Sequence, residues 1–175
     1  MKSVSKLRAD IAHHRLDAQP APGYYTWWFD VEGMKAILRP LSGVDFSKVA
    51  RRLIGGKEYY ALYFGISGNL LERIKWHVAQ PHKPSSVAHG TISTLRHTLG
   101  SLLGSPMISS ENAVNEFMDR HCVLDYHNCA TEDEAERLET NMLRDGYFPL
   151  NIAKNVGVPK AVVEQLKRYR KQFGK

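Results

Sequence analysis

The sequence predicts an α+β fold, a small three-stranded antiparallel sheet flanked by helices. Aromatic and branched residues concentrate at 24–29 and 59–66, and residues 121–128 alternate Cys122, Leu124 and Tyr126 with His121, Val123, Asp125 and His127. Around these stretches, apolar residues recur every three to four positions, as in helices that cover a sheet. At 175 residues and 43% hydrophobic content the chain can bury a real core, so a single domain is expected.

Taken in order, Val4, Leu7, Ile11 and Leu16 share helical spacing and predict a leading helix that ends before Pro20-Ala21-Pro22. The first strand, 24–29, follows at once. The second, 59–66, is closed by Ser67-Gly68. Residues 30–58 between them exceed what a hairpin needs and are read as an insertion. Within it, Asp45, Phe46, Val49 and Leu53 predict a short capped helix ended by Gly55-Gly56, with Arg51 and Arg52 on its outer side, facing DNA or water. Solvent is the reading favoured for those two arginines.

Asn69 can cap a helix through Val78, with Leu71, Ile74 and Val78 inward and Arg73 and His77, four apart, on another face. Residues 81–86 read as a loop. Ile92, Leu95, Leu99 and Leu102 mark a helix within 89–103 that carries Arg96 and His97, and residues 111–119 make a further short helix before the third strand. Thr131-Glu132-Asp133-Glu134 has the form of a capping box, opening a helix whose core residues are Ala135, Leu138 and Met142 or Leu143. Gly146 ends it, and Pro149 turns the chain toward Asn151. Residues 159–175 are expected to form a basic C-terminal helix.

The formal net charge is +6, and six basic residues against Glu164 alone lie in 160–175. A polyanion suits such a surface, because each phosphate neutralised releases counterions. No apolar run approaches the roughly 20 residues of a membrane span, and the first residues lack the apolar stretch of a signal peptide, so a soluble cytoplasmic protein is expected. Cys122 and Cys129 are too few for a disulfide scaffold. A zinc cluster of His121, Cys122, His127 and Cys129 is disfavoured, since a strand sends Cys122 and His127 to opposite faces. Gly-rich phosphate loops, Gly-x-Ser-x-Gly elbows and His-Glu-x-x-His helices do not occur.

One ordered set of side chains runs through these elements. Gly23-Tyr24-Tyr25 precedes Tyr63-Phe64-Gly65, Arg73 lies eight positions beyond Gly65, His77 four further, and Glu139 and Asn151 fall in the stretch 138–151. In this the chain resembles the GIY-YIG nuclease superfamily over about residues 22–155. Tyr24 and Phe64 stand where the family has aliphatic residues, and Tyr25 and Tyr63 are 38 positions apart, which is why residues 30–58 are read as an insertion.

The resemblance implies a metal-dependent DNA endonuclease with Tyr25, Tyr63, Arg73, His77, Glu139 and Asn151 at its catalytic centre. Glu139 would hold one divalent ion, Mg²⁺ or Mn²⁺, as a hard oxygen ligand. Tyr25 would activate water, with His77 relieving it of its proton. Arg73 would brace the scissile phosphate, Tyr63 donate to water or phosphate, and Asn151 steady its neighbours. Arg96, Lys167, Arg168, Arg170 and Lys171 are the expected nucleic-acid contacts. RNA is a possible substrate in place of DNA, and a homodimer is possible. The alternative is a nucleic-acid-binding module that keeps the GIY-YIG-like fold without turnover.

Overall fold

A computed structural model describes residues 1–174; Lys175, part of the expected C-terminal helix, lies outside them. The sheet has five strands where three were expected. These are β1 (Lys2–Ser3), β2 (Gly23–Asp30), β3 (Arg51–Ile54), β4 (Lys57–Ser67) and β5 (Cys122–Asn128), in the order β1-β5-β2-β4-β3. Every neighbouring pair is antiparallel. The three expected strands are the centre, and the two short additions cover the outer edges of β5 and β4.

The insertion is where sequence and structure part. Its first residues form a helix, α2 (Val31–Leu38), capped by Asp30, whose Oδ1 accepts the Gly33 N–H at 2.7 Å. The expected helix from Asp45 is only a 3-10 turn, Phe46–Lys48, and Arg51 and Arg52 lie on β3 instead. Gly55 and Gly56, at φ +56° and +79°, do not end a helix. They make the tight turn of a β3–β4 hairpin in which Ile54 pairs with Lys57.

Among the described residues there are seven further helices: α1 (Val4–Ala12), α3 (Leu70–Ala79), α4 (Pro84–Ala88), α5 (Thr94–Leu102), α6 (Glu111–His121), α7 (Glu132–Asp145) and α8 (Lys160–Phe173). Helix α4 occupies part of the expected 81–86 loop. Two of the expected caps form as read: Asn69 Oδ1 accepts from Glu72 N–H at 3.1 Å, and Thr131 Oγ1 from Glu134 N–H at 3.2 Å. Glu134 reaches back to Ala130 N–H at 2.8 Å, one residue earlier than a standard capping box.

Alternation along β2 sends its residues into two cores. Tyr25, Trp27 and Phe29 join the larger cluster with Leu70, Ile74 and Val78 of α3, Leu95 and Leu99 of α5, and Val162 and Leu166 of α8. Trp28 faces the other way, into a smaller cluster with Phe64, Val123, Leu143 and Phe148 beneath α7. The two departures from the family pattern meet there: Tyr24 stacks on Phe64 with ring centroids 5.9 Å apart. They are a packing exchange on the face opposite Tyr25. Among the described residues no helix is long and apolar enough to cross a membrane.

Candidate active site

Tyr25 lies in the middle strand, paired with Gly65 on β4 and Tyr126 on β5. Its ring crosses over Gly65, and a Cβ there would sit 2.5 Å from the Tyr25 hydroxyl. Glycine is therefore the residue that lets the phenol lie flat on β4. Gly23 answers a similar need, since a Cβ would come within 2.4 Å of the His127 carbonyl oxygen on β5.

Around the phenol, two neighbouring strands, four helices and the chain after α7 converge. Tyr25, Tyr63, Gly65, Arg73, Glu139, Asn151 and Arg170 all line one cleft of about 330 Å³. His77 is not on its wall. It sits behind Tyr25, 1% exposed, with Nε2 2.9 Å from the Tyr25 hydroxyl and Nδ1 3.0 Å from Ser93 Oγ. The expected helical face for Arg73 and His77 is thus corrected. Leu70, Ile74, His77 and Val78 are the buried stripe of α3, and Arg73 stands at its rim.

Burial drives the two partners apart in acidity. The Tyr25 hydroxyl is pushed well above its usual 10, first by burial and then by the charge Tyr63 would carry, with Arg73 pulling the other way. Burial, then Arg73 and Arg96, take His77 down to about 3, so its imidazole is neutral. Tyr63 is also raised by burial, against the pull of Arg73 and Arg170.

Asn151 faces the cleft but spends its amide on the backbone. Nδ2 donates to the Phe64 carbonyl at 2.7 Å and Oδ1 accepts the Phe64 N–H at 2.9 Å, so it holds β4 at the second motif. Glu139 is the cleft's acid, its side chain 16% exposed, and Lys154 reaches one carboxylate oxygen at 2.7 Å. Among the described residues no three His, Cys, Asp or Glu side chains gather as a ready-made metal cage. The donor set fits a divalent ion only as one hard carboxylate ligand, its affinity completed by water and substrate oxygens.

Arg96 does not belong to any nucleic-acid surface. It is 0% exposed and donates to His82 Nε2 at 3.0 Å, the His77 carbonyl at 3.2 Å and Asn115 Oδ1 at 2.9 Å. Its role is to tie α5 to the end of α3 and to α6. Lys167, Arg168 and Lys171 lie exposed on α8, whereas Arg170 turns inward to the cleft. Sequence reading missed Ser93, the contact to His77, and Lys154, the cation on Glu139. Neither carries a local signal, because each meets its partner only through the fold.

A phenol backed by imidazole, an arginine and a lone carboxylate, in a cleft on a small antiparallel sheet, is a constellation of the phosphodiester-cleaving class. A family model for the GIY-YIG catalytic domain matches residues 23–172, and the chain belongs to that nuclease family. No curated protein and no solved structure matches it.

Proposed function

We propose that the chain is a metal-dependent DNA endonuclease, hydrolysing phosphodiester bonds with one Mg²⁺ or Mn²⁺ ion. What carries this reading is the Tyr25–His77 contact at 2.9 Å inside a cleft that also holds Arg73 and Glu139. Glu139 would hold the ion, which would withdraw charge from the phosphate and acidify nearby water.

In this scheme water oxygen forms the new P–O bond as the bond to the leaving oxygen breaks. Tyr25, protonated at rest, first gives its phenol proton to solvent, helped by the charge of Arg73; as phenolate it takes the water proton, and the leaving oxygen takes one from solvent. His77 acts differently from the expectation that it collects the phenol's proton. With the phenol raised and the imidazole lowered, that transfer runs steeply uphill. Ser93 Oγ already accepts the Arg96 N–H at 3.2 Å, so its own hydroxyl proton is free to go to His77 Nδ1. Nε2–H then donates to the Tyr25 oxygen and stabilises it as an anion, with Arg73 supplying positive charge at the rim.

The test is nicking of supercoiled plasmid with Mg²⁺ or Mn²⁺ by the parent and by Tyr25→Phe, Arg73→Ala and Glu139→Ala. Loss of cutting with retained duplex binding is expected for each variant. Equal cutting by Glu139→Ala overturns the assignment of the ligand. The ion pair from Lys154 to Glu139 favours a second reading, a binding module without turnover. A parent protein that binds duplex yet leaves plasmid intact over a full titration of either metal establishes it. Parallel assays on an RNA strand of the same sequence decide between the two polymers.

A further inference from the structure

Helix α8 was expected to present a basic surface, yet one of its cations faces elsewhere. Arg170 is half-buried and shares the cleft with Tyr25, Tyr63, Arg73 and Glu139. Its Nε and Nη2 lie 3.3 and 3.2 Å from His97 Nδ1, and His97 Nε2 lies 3.3 Å from the Arg170 carbonyl oxygen. A guanidinium only donates, so Nδ1 must be a bare acceptor and the ring proton must sit on Nε2. His97 is therefore a neutral clamp that grips residue 170 by its side chain and its backbone together. Burial and the neighbouring Arg170 both hold its pKa down, in agreement.

Among the described residues Arg170 makes no ion pair with a carboxylate. A guanidinium withdrawn from water without a counter-ion is costly, and here it stands at the wall of a cleft shaped around a phosphodiester reaction. Two donors are engaged by His97, which leaves others for an anion in the cleft. Arg73 alone would face a phosphate whose charge rises as water attacks.

We propose that Arg170 is a second phosphate-binding guanidinium of the catalytic cleft, held in place by His97, so that α8 completes the active site. This rests on the endonuclease reading for its kinetic consequence, and on geometry alone for phosphate contact. His97 acts through Arg170 and is a positioning residue.

Two measurements test it. In plasmid nicking, Arg170→Gln should lower kcat by about 100-fold, as expected on removing a donor from developing charge, with a smaller change in KM. Arg170→Lys should recover only part of the rate, because a single ammonium replaces the fork. His97→Ala should give a milder kcat loss than Arg170→Gln, and Lys35→Ala, on the exposed face of α2, serves as the unaffected control. Parent-like kcat in Arg170→Gln, or a change confined to KM, overturns the proposal.

The second measurement does not need turnover. In Glu139→Ala protein, the Arg170 Nε–H resonance, assigned by its loss in Arg170→Lys, should shift on titration with a short DNA duplex. A resonance that stays in place overturns the proposal even if the parent nicks DNA. A shift in a protein that never nicks removes the endonuclease reading and leaves phosphate binding by Arg170 standing.

Discussion

At the scale of single residues, the glycine of the second motif is explained by what lies over it. The Tyr25 hydroxyl occupies the space a Gly65 side chain would need, 2.5 Å from the position of its Cβ. Gly65→Ala should therefore displace the phenol from His77 while β4 still forms. We expect nicking to fall about 100-fold or more, since misplacement by an ångström is enough for that, and stability to fall by about 1–3 kcal/mol through overpacking. Plasmid nicking beside a urea melt checks this, and a parent-like rate in the folded variant refutes it.

His77 makes a prediction of its own. Its folded pKa of about 3 lies below the roughly 6.5 of an unfolded histidine, so below pH 6.5 the unfolded chain binds a proton that the folded chain refuses. The stabilisation is complete above that pH and is lost as pH falls toward 3. His82 and His97, both lowered mainly by burial, act in the same direction. As pH falls from about 6.5 toward 5, before most carboxylates titrate, the slope contributed by His77 rises toward about 1.4 kcal/mol per pH unit. His77→Gln should reduce the measured slope by about that amount in urea melts taken at stepped pH. An unchanged slope would mean that the imidazole takes up protons freely in the folded state.

Side chains also show how far the sequence could be read. Tyr25, Tyr63, Arg73 and Glu139 are legible through the resemblance to the GIY-YIG family that their order carries, and they line one cleft. Arg96, expected as a nucleic-acid contact, lies instead on the inward stripe that Ile92, Leu95 and Leu99 already mark. A charge on an apolar face was the available signal. It was overridden by the prior that arginines seek solvent, and the His82, His77 and Asn115 acceptors that overcome that prior come from distant parts of the chain.

At the scale of elements, the helix of α2 and the β3–β4 hairpin are what the sequence hid. Asp45, Phe46, Val49 and Leu53 mimic a helical period over too few residues to decide it. Two glycines between the branched run Leu53-Ile54 and the strand start at Lys57 were the stronger signal, because both must take positive φ. Gly56→Ala, at φ +79° with nothing within 4 Å of a new Cβ, isolates that backbone requirement from any clash. It should cost about 1 kcal/mol, measured by urea melt, and leave nicking unaltered because neither β3 nor its turn contributes a residue to the cleft. No loss of stability would mean that the turn does not hold the hairpin's register.

At the scale of the whole molecule, net charge, cleft and C-terminal helix form one electrostatic arrangement. Lys167, Arg168 and Lys171 stand exposed on the helix that also sends Arg170 into the cleft. On the proposed endonuclease reading, a duplex steered by the outer three would be brought toward Tyr25 and Glu139. Sequence composition located the basic segment but could not divide it, since which residues of α8 face outward depends on its packing against α5. Exposed lysines and arginines release counterions from DNA, and each phosphate contact contributes about 0.9 to the slope of log affinity against log salt. Replacing Lys167, Arg168 and Lys171 together by alanine should therefore flatten that slope by about 2–3, measured by fluorescence anisotropy of a labelled duplex bound to the Glu139→Ala protein. A residual slope from Arg73 and Arg170 should persist. If the triple variant keeps the parent slope, the outer face of α8 does not meet the backbone, and the duplex approaches the cleft from another side.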